Sequence, residues 1–410
     1  MTHTHLTFTL AQDVKTIFLV GLAHSMSHFF HLILVPLFLY LNIDFGFTYA
    51  QLGFLVTLFF MISALTQTVA GFLVDRLGSR PLIIAAMAGF IIAALILSMA
   101  SSYMTFILGV VIAGLCNSVF HPADFTILNN RVSSNRLGYA FTVHGLSGHL
   151  GWALATVFLT ILANYFGWRH ALQAAAGLTT FVLIILWWGR DYMYTSVHLS
   201  PSLTQASNHI SRIENRFSFL KWPNVWISFL FFALISLAFS SFQSFGVTLM
   251  KQYYQYSSNI IGIIATMFLI CGAIGMIAGG WLVIHIPRND KQVGWAYFVS
   301  AMGALCIGFN LASPFIALII IAIMGFVHGL ATPSRDMLMK RSIPKGATGR
   351  VYGLVYSGAD VGSSVGPMVC GWMIDHHLSH EVFLMLAGVQ LLIVASAYTV
   401  ANNKSDSVKV

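Results

Sequence analysis

G-F-L-V-D-R-L-G-S-R, residues Gly71 to Arg80, fills the short gap between two long apolar runs. An acid, two arginines and a turn glycine interrupt the hydrophobic sequence, and Pro81 opens the next apolar stretch. Working outward from this hinge, the alternation repeats along the whole chain. Stretches of roughly 20 apolar residues with few charges are long enough to cross a bilayer. About twelve occur here, near 15–41, 49–73, 81–100, 103–128, 138–163, 168–189, 223–250, 258–284, 292–311, 314–338, 349–373 and 379–401.

Composition agrees. Hydrophobic residues make up 58% and charged residues 8%, with mean hydropathy +0.82; a soluble domain carries roughly 25% charged residues. The expected class is therefore an all-α integral membrane protein, with no length left for a separate soluble catalytic domain. The net charge of +8 does not indicate nucleic acid. With the N-terminus placed in the cytoplasm, all of the 20 Lys and Arg except Arg169 and Lys251 fall on that side, as the positive-inside rule requires. Both termini are then cytoplasmic, in a multi-pass protein of the inner or plasma membrane. The first apolar run is too long for a cleavable signal and lacks a small-residue cleavage site. Cys116, Cys271, Cys306 and Cys370 fall within apolar spans without C-x-x-C spacing and are expected to pack as small apolar residues.

A polar stretch rich in Ser and Asn divides the spans six and six, predicting a bundle over 1–190, a cytoplasmic linker over 191–222 and a second bundle over 223–410. In the linker, Ile210, Ile213, Phe217 and Leu220 recur at helical spacing, as in a short helix lying on the membrane surface. The halves repeat: at an offset of 211, Gly114, Pro122, Gly138 and Gly151 correspond to Gly325, Pro333, Gly349 and Gly362, and Gly53 corresponds to Gly262 at 209. Glycine and proline set bends and close approaches, so two similarly shaped, pseudo-symmetric six-helix bundles are expected. In such repeat-built carriers the solute site lies between halves that rock to give alternating access.

The hinge at Gly71–Arg80, placed between the second and third spans, resembles the loop between helices 2 and 3 of the major facilitator superfamily. S-V-F-H-P from Ser118 to Pro122, the glycines Gly145, Gly148 and Gly151, and Ala23-His24 with Pro36-Leu37 are similar to the fosmidomycin-resistance branch. The resemblance implies a transporter of small polar or anionic solutes, since branch members are associated with efflux of a small phosphonate antibiotic. It also implies that the loop forms a cytoplasmic gate from Gly71, Asp75, Arg76, Gly78 and Arg80, with Asp75 capping a helix near Gly349 and Arg131 or Arg136 supplying a pairing charge. Two departures stand out. Val110 and Val111 occupy the place of the arginine that many members carry in the fourth span. Ala155-Thr156 stands where antiporters show Gly-Pro, which appears instead at Gly366-Pro367.

Ionisable groups inside a bilayer are costly and therefore functional candidates. Asp124 and Asp360 are the acids clearly inside predicted spans, and Asp360 matches His149 at the repeat offset. Asp360, His149 and Asp124 are the proton-coupling candidates, against a structural bond between helices. His24, His28 and His31 share one face of the first span. With His121, His144, His328, Asn117, Gln67 and Gln243 they form the candidate solute-binding set. Imidazole holds protons, donates to anions or ligates transition metals, but no thiolate or carboxylate accompanies the first-span stripe, so no metal and no cofactor are assigned.

The reading is a secondary active transporter of a small polar or anionic solute. It is proton-coupled, acts as a monomer in the lipid bilayer, and has no nucleic-acid partner and no enzymatic role. Drug efflux of the fosmidomycin type and transport of a transition metal or its chelate use the same cavity. A membrane metalloenzyme would need His24, His28, His376 and His377 on one side of the membrane, and the topology separates them.

Overall fold

The computed structural model describes residues 9–133, 135–195, 221–256, 258–285, 288–342 and 348–402. The linker helix expected around Ile210 to Leu220 lies outside them. Every regular element among the described residues is helical, and the chain divides into two units, Met1–Phe47 with Phe54–Ser200, and Thr48–Gly53 with Pro201–Val410.

The first unit contains α1 (Leu10–His31), α2 (Phe38–Phe45), α3 (Tyr49–Leu77, apart from its first turn), α4 (Ser79–Ser98), α5 (Tyr103–Asn117), α6 (Phe120–Arg131), α7 (Leu137–Phe166) and α8 (Trp168–Trp188). Two spans read as continuous from hydropathy are broken. The first runs as α1, a 3-10 turn over Val35–Leu37 and then α2. Pro36 in that turn cannot supply the amide that a continuous helix needs. The fourth breaks at Ser118 and Val119, so that Pro122 sits in the first turn of α6, where a missing amide does no harm. The first span also begins at Leu10 rather than near 15. Thr9 and Gln12 form a reciprocal capping box there, which satisfies the first orphan amides.

Gly78 closes the α3–α4 hinge. Its φ of 82° lies in the left-handed region that side chains avoid, and its N–H donates to the Val74 carbonyl at 2.9 Å.

The second unit contains α9 (Pro223–Tyr254), α10 (Ser258–His285), α11 (Asn289–Gly308), α12 (Pro314–Ser342), α13 (Thr348–Asp375) and α14 (Ser379–Asn402). Residues 48–53 group with it, and there the Asp375 carboxylate accepts from the N–H groups of Tyr49 and Ala50 at 2.8 and 2.7 Å. A carboxylate at the start of a helix is favoured by the exposed amides and the helix dipole. Ten of the described helical segments are long and apolar enough to cross a membrane. With α11 and α13 they give the twelve crossings of the sequence pattern; α13 is less apolar because of Ser357, Asp360, Ser363 and Ser364.

The internal repeat has a physical basis. A Cβ on Gly114 or on Gly325 would come within 3.0 Å of a backbone carbonyl of a neighbouring helix, that of Phe59 or that of Phe268. Gly151 stands in the same way against the Ser25 carbonyl, and Gly362 against that of Ala233. Matched glycines therefore make matched close approaches, α5 on α3 as α12 on α10, and α7 on α1 as α13 on α9. Small residues at helix contacts are what allow tight packing in lipid, where dispersion rather than water exclusion drives association.

Candidate functional site

The described ionisable side chains of the membrane-spanning helices concentrate in the first unit. The α1 stripe meets α6 and α7, and the carboxylate absent from the stripe itself arrives from α6. Asp124 Oδ2 lies 3.1 Å from His24 Nδ1 and 3.2 Å from His144 Nε2. The His24 and His144 rings stack with centroids 3.6 Å apart, and His28 and His121 lie 4.4 and 5.4 Å from His24. Asp124 is fully buried and His24 nearly so. The expectation that no carboxylate accompanies the stripe is thus corrected: it held along one helix, whereas the partner sits 100 residues away in sequence.

His28 and His31 continue the stripe. Gly148 and Gly151 allow this, since a Cβ on either would come against the His28 side chain. His28 stacks on His31 at 4.5 Å and faces Trp152 at 4.4 Å, and its buried Nδ1 has no hydrogen-bond partner. His31 is held from both sides. The Trp152 indole N–H donates to its Nδ1 at 3.2 Å, and its Nε2 lies 3.2 Å from Asn117 Oδ1. An acceptor Nδ1 requires the neutral Nε2–H tautomer, assigned here from the network. Asn117 also accepts from Ser27 at 2.6 Å and donates to Ser63 at 2.9 Å. His31 and Asn117 are therefore engaged inside the bundle, whereas His28 retains unused bonding capacity. Ser27, Ser63 and Trp152 were not legible as site residues. Ser27 shares the stripe's face, which was the available signal.

Of the other candidates, His149 reaches the edge of this cluster, its ring 5.1 Å from Trp152, and the rest lie apart from it. His149 Nδ1 is 3.2 Å from the Gly145 carbonyl of its own helix. Gln67 is half-buried on α3. In the second unit His328 stacks on Phe239 and lies 3.2 Å from the Tyr297 hydroxyl, and the buried Gln243 amide nitrogen has no partner. Asp360 is half-buried on α13 and forms no ion pair among the described residues. A cavity of about 380 Å³ between Gln252, Tyr253, Asn310, His377 and His380 includes none of the predicted residues.

At the hinge, Arg80 pairs with Asp191 at 3.3 Å and Arg131 donates to the Asp191 carbonyl. Gly71 has open space where a Cβ would stand, Arg76 is exposed, and the side chain of Asp75 is outside those described. Arg136 pairs with Asp13, at 2.6 Å. Because α1 starts at Leu10, Asp13 is buried beside the α6–α7 loop, where it also accepts from the Ser133 N–H at 3.1 Å. Asp13 is thus a further buried acid of the first span, beyond the two read from hydropathy.

Two repeat-related units with twelve crossings, one carrying a buried polar cluster in an otherwise apolar bundle, define a polytopic membrane carrier. The chain belongs to the major facilitator superfamily, whose family model matches residues 17–249 and 228–409; the family and its structural neighbours are transporters, not enzymes. The chain is 24% identical over 374 residues to a probable nitrate/nitrite transporter, NarK2, of Mycobacterium tuberculosis, covering 87% of this chain and 88% of that one. It is 22% identical over 399 residues to the fosmidomycin resistance protein of Escherichia coli, covering 94% and 93%. Over 284 residues it is 22% identical to the human voltage-gated purine nucleotide uniporter SLC17A9, covering 65% and 64%. Among solved structures, a bacterial homologue of the lysosomal transporter Spinster, inward-facing and unoccupied, aligns with TM-score 0.72 at 14% identity, covering 97% of both chains. A mutant of the nucleoside transporter NupG aligns with TM-score 0.75 at 13% identity, covering 95% of this chain and 99% of that one.

Proposed function

We propose that this transporter moves a small anionic or polar solute across the inner or plasma membrane by alternating access, coupled to protons, with both termini in the cytoplasm. The observation that carries the solute class is the imidazole stripe at the break of the first span, where His28 keeps a buried nitrogen without a partner. A buried imidazole nitrogen left without an internal partner suits an anion or a hydroxylated solute. The relatives named for nitrate and nitrite and for purine nucleotides support the anionic side of this reading. Counterflow in proteoliposomes against a panel of nitrate, organic acids, phosphonates and nucleotides tests it. His28→Ala should weaken half-saturation for the accepted solute about tenfold, the cost of one lost hydrogen bond to a charged partner. Counterflow by no anion in the panel, or unchanged half-saturation in the variant, would remove the assignment. Efflux is the second reading, favoured by the match to the fosmidomycin resistance protein over 94% of the chain.

Asp75 is proposed as the gate's switch, a charge used in one access state. Asp75→Asn should slow flux about tenfold, because a bias near 1.4 kcal/mol between the two states changes their ratio by that factor. Membrane insertion and yield should be unchanged. Transport at the parental rate would reduce the hinge to a topological signal. The coupling site is proposed at Asp360, with His149 as its repeat-matched counterpart.

A further inference from the structure

We propose that the first unit holds a resident divalent transition-metal ion of the zinc class, ligated by His24, His121 and His144 and positioned by Asp124. One ring nitrogen from each histidine lies within 4.8 Å of the others. Tetrahedral ligands at zinc–nitrogen distance stand roughly 3.4 Å apart, so the site closes only when the imidazoles turn, the stacked His24 and His144 rings above all, because their in-plane lone pairs run nearly parallel. The three residues come from α1, α6 and α7, and an ion would tie these helices together next to the break in the fourth span.

Asp124 gives the arrangement its direction. Its Oδ2 meets His24 Nδ1 and His144 Nε2, which leaves His24 Nε2 and His144 Nδ1 for the ion. A carboxylate bonded to the far nitrogen is the usual means of fixing a ligating imidazole. Its other oxygen, Oδ1, is buried without a hydrogen-bond partner, so the carboxylate's charge is incompletely satisfied, and a cation held by its two histidines offsets that charge through the rings without ligating Oδ1. Imidazole nitrogen selects zinc, copper, nickel or iron over magnesium and calcium. The site is enclosed, with His24, Asp124 and His144 buried and only His121 half-exposed. It lies inside one unit, so we assign the ion a resident role, independent of which solute is carried.

The full-length protein, purified in detergent in chelator-treated buffer, is titrated with Co²⁺ as an optical probe and then with Zn²⁺. One equivalent of Co²⁺ should bind with the intense ligand-field bands of a tetrahedral nitrogen-rich site, be displaced by Zn²⁺, and raise the melting temperature. His121→Gln and His144→Gln should abolish the bands, and Asp124→Asn should weaken binding about 10–100-fold. Asp360→Asn should bind as the parent does, which separates this site from the coupling proposal. Absence of tetrahedral bands in the parent protein overturns the proposal, whatever the folding of the variants. So does parental binding in monodisperse His121→Gln, which would place the ion elsewhere. Counterflow of Zn²⁺ itself would overturn residency and make the ion cargo.

Discussion

Asp360→Asn is expected to abolish proton-driven accumulation while leaving solute exchange in place. Asp360 lies between Gly358 and Gly362, which press α13 onto the α9 carbonyls of Phe229 and Ala233. Positions two residues away lie on the opposite side of a helix, so Asp360 points away from this seam while the glycines fix its height. Its carboxyl forms no ion pair among the described residues, so protonation need not break a structural bridge. A gradient of one pH unit supplies about 1.4 kcal/mol per proton, or about tenfold accumulation. In the Asn variant that ratio should fall to near one, with counterflow preserved, because exchange requires no net proton movement. Parental accumulation in Asp360→Asn would make the acid structural.

Asp13→Ala is expected to destabilise the first unit by about 3 kcal/mol. The Asp13 carboxylate is fully buried and accepts from the Arg136 guanidinium and from both the N–H and the side chain of Ser133. Hydrogen bonds to charged groups contribute about 1.5–3 kcal/mol each. Removing one partner of a buried pair costs about 3–5 kcal/mol; the lower end applies because the Arg136 side chain is 32% exposed and partly solvated. Asp13→Asn should cost less, since the amide still accepts one bond. Thermal unfolding of the purified variants measures both. Equal stability of parent and Asp13→Ala would show that the pair contributes nothing net.

Apolar stretches, the hinge at Gly71–Arg80 and glycines at a fixed offset carried the twelve crossings and the paired bundles. These are local or periodic features, and the bilayer turns them directly into helices because lipid satisfies no backbone polar group. The matched glycines could be paired from sequence, although not the carbonyls of Phe59, Phe268, Ser25 and Ala233 that they touch. The His24–His28–His31 face was readable because helical spacing defines it.

The break at Ser118 and Val119, the pairing of Arg136 with Asp13, the internal bonds of His31 and Asn117, and the meeting of His24 and His144 on Asp124 were decided only in three dimensions. The side-chain bonds join residues distant in sequence, 86 to 123 positions apart for those of His31, His24 and Arg136. Hydropathy and periodicity describe one helix at a time. Which polar faces meet is set by how glycine-lined helices pack, and that information exists only once the bundle has formed.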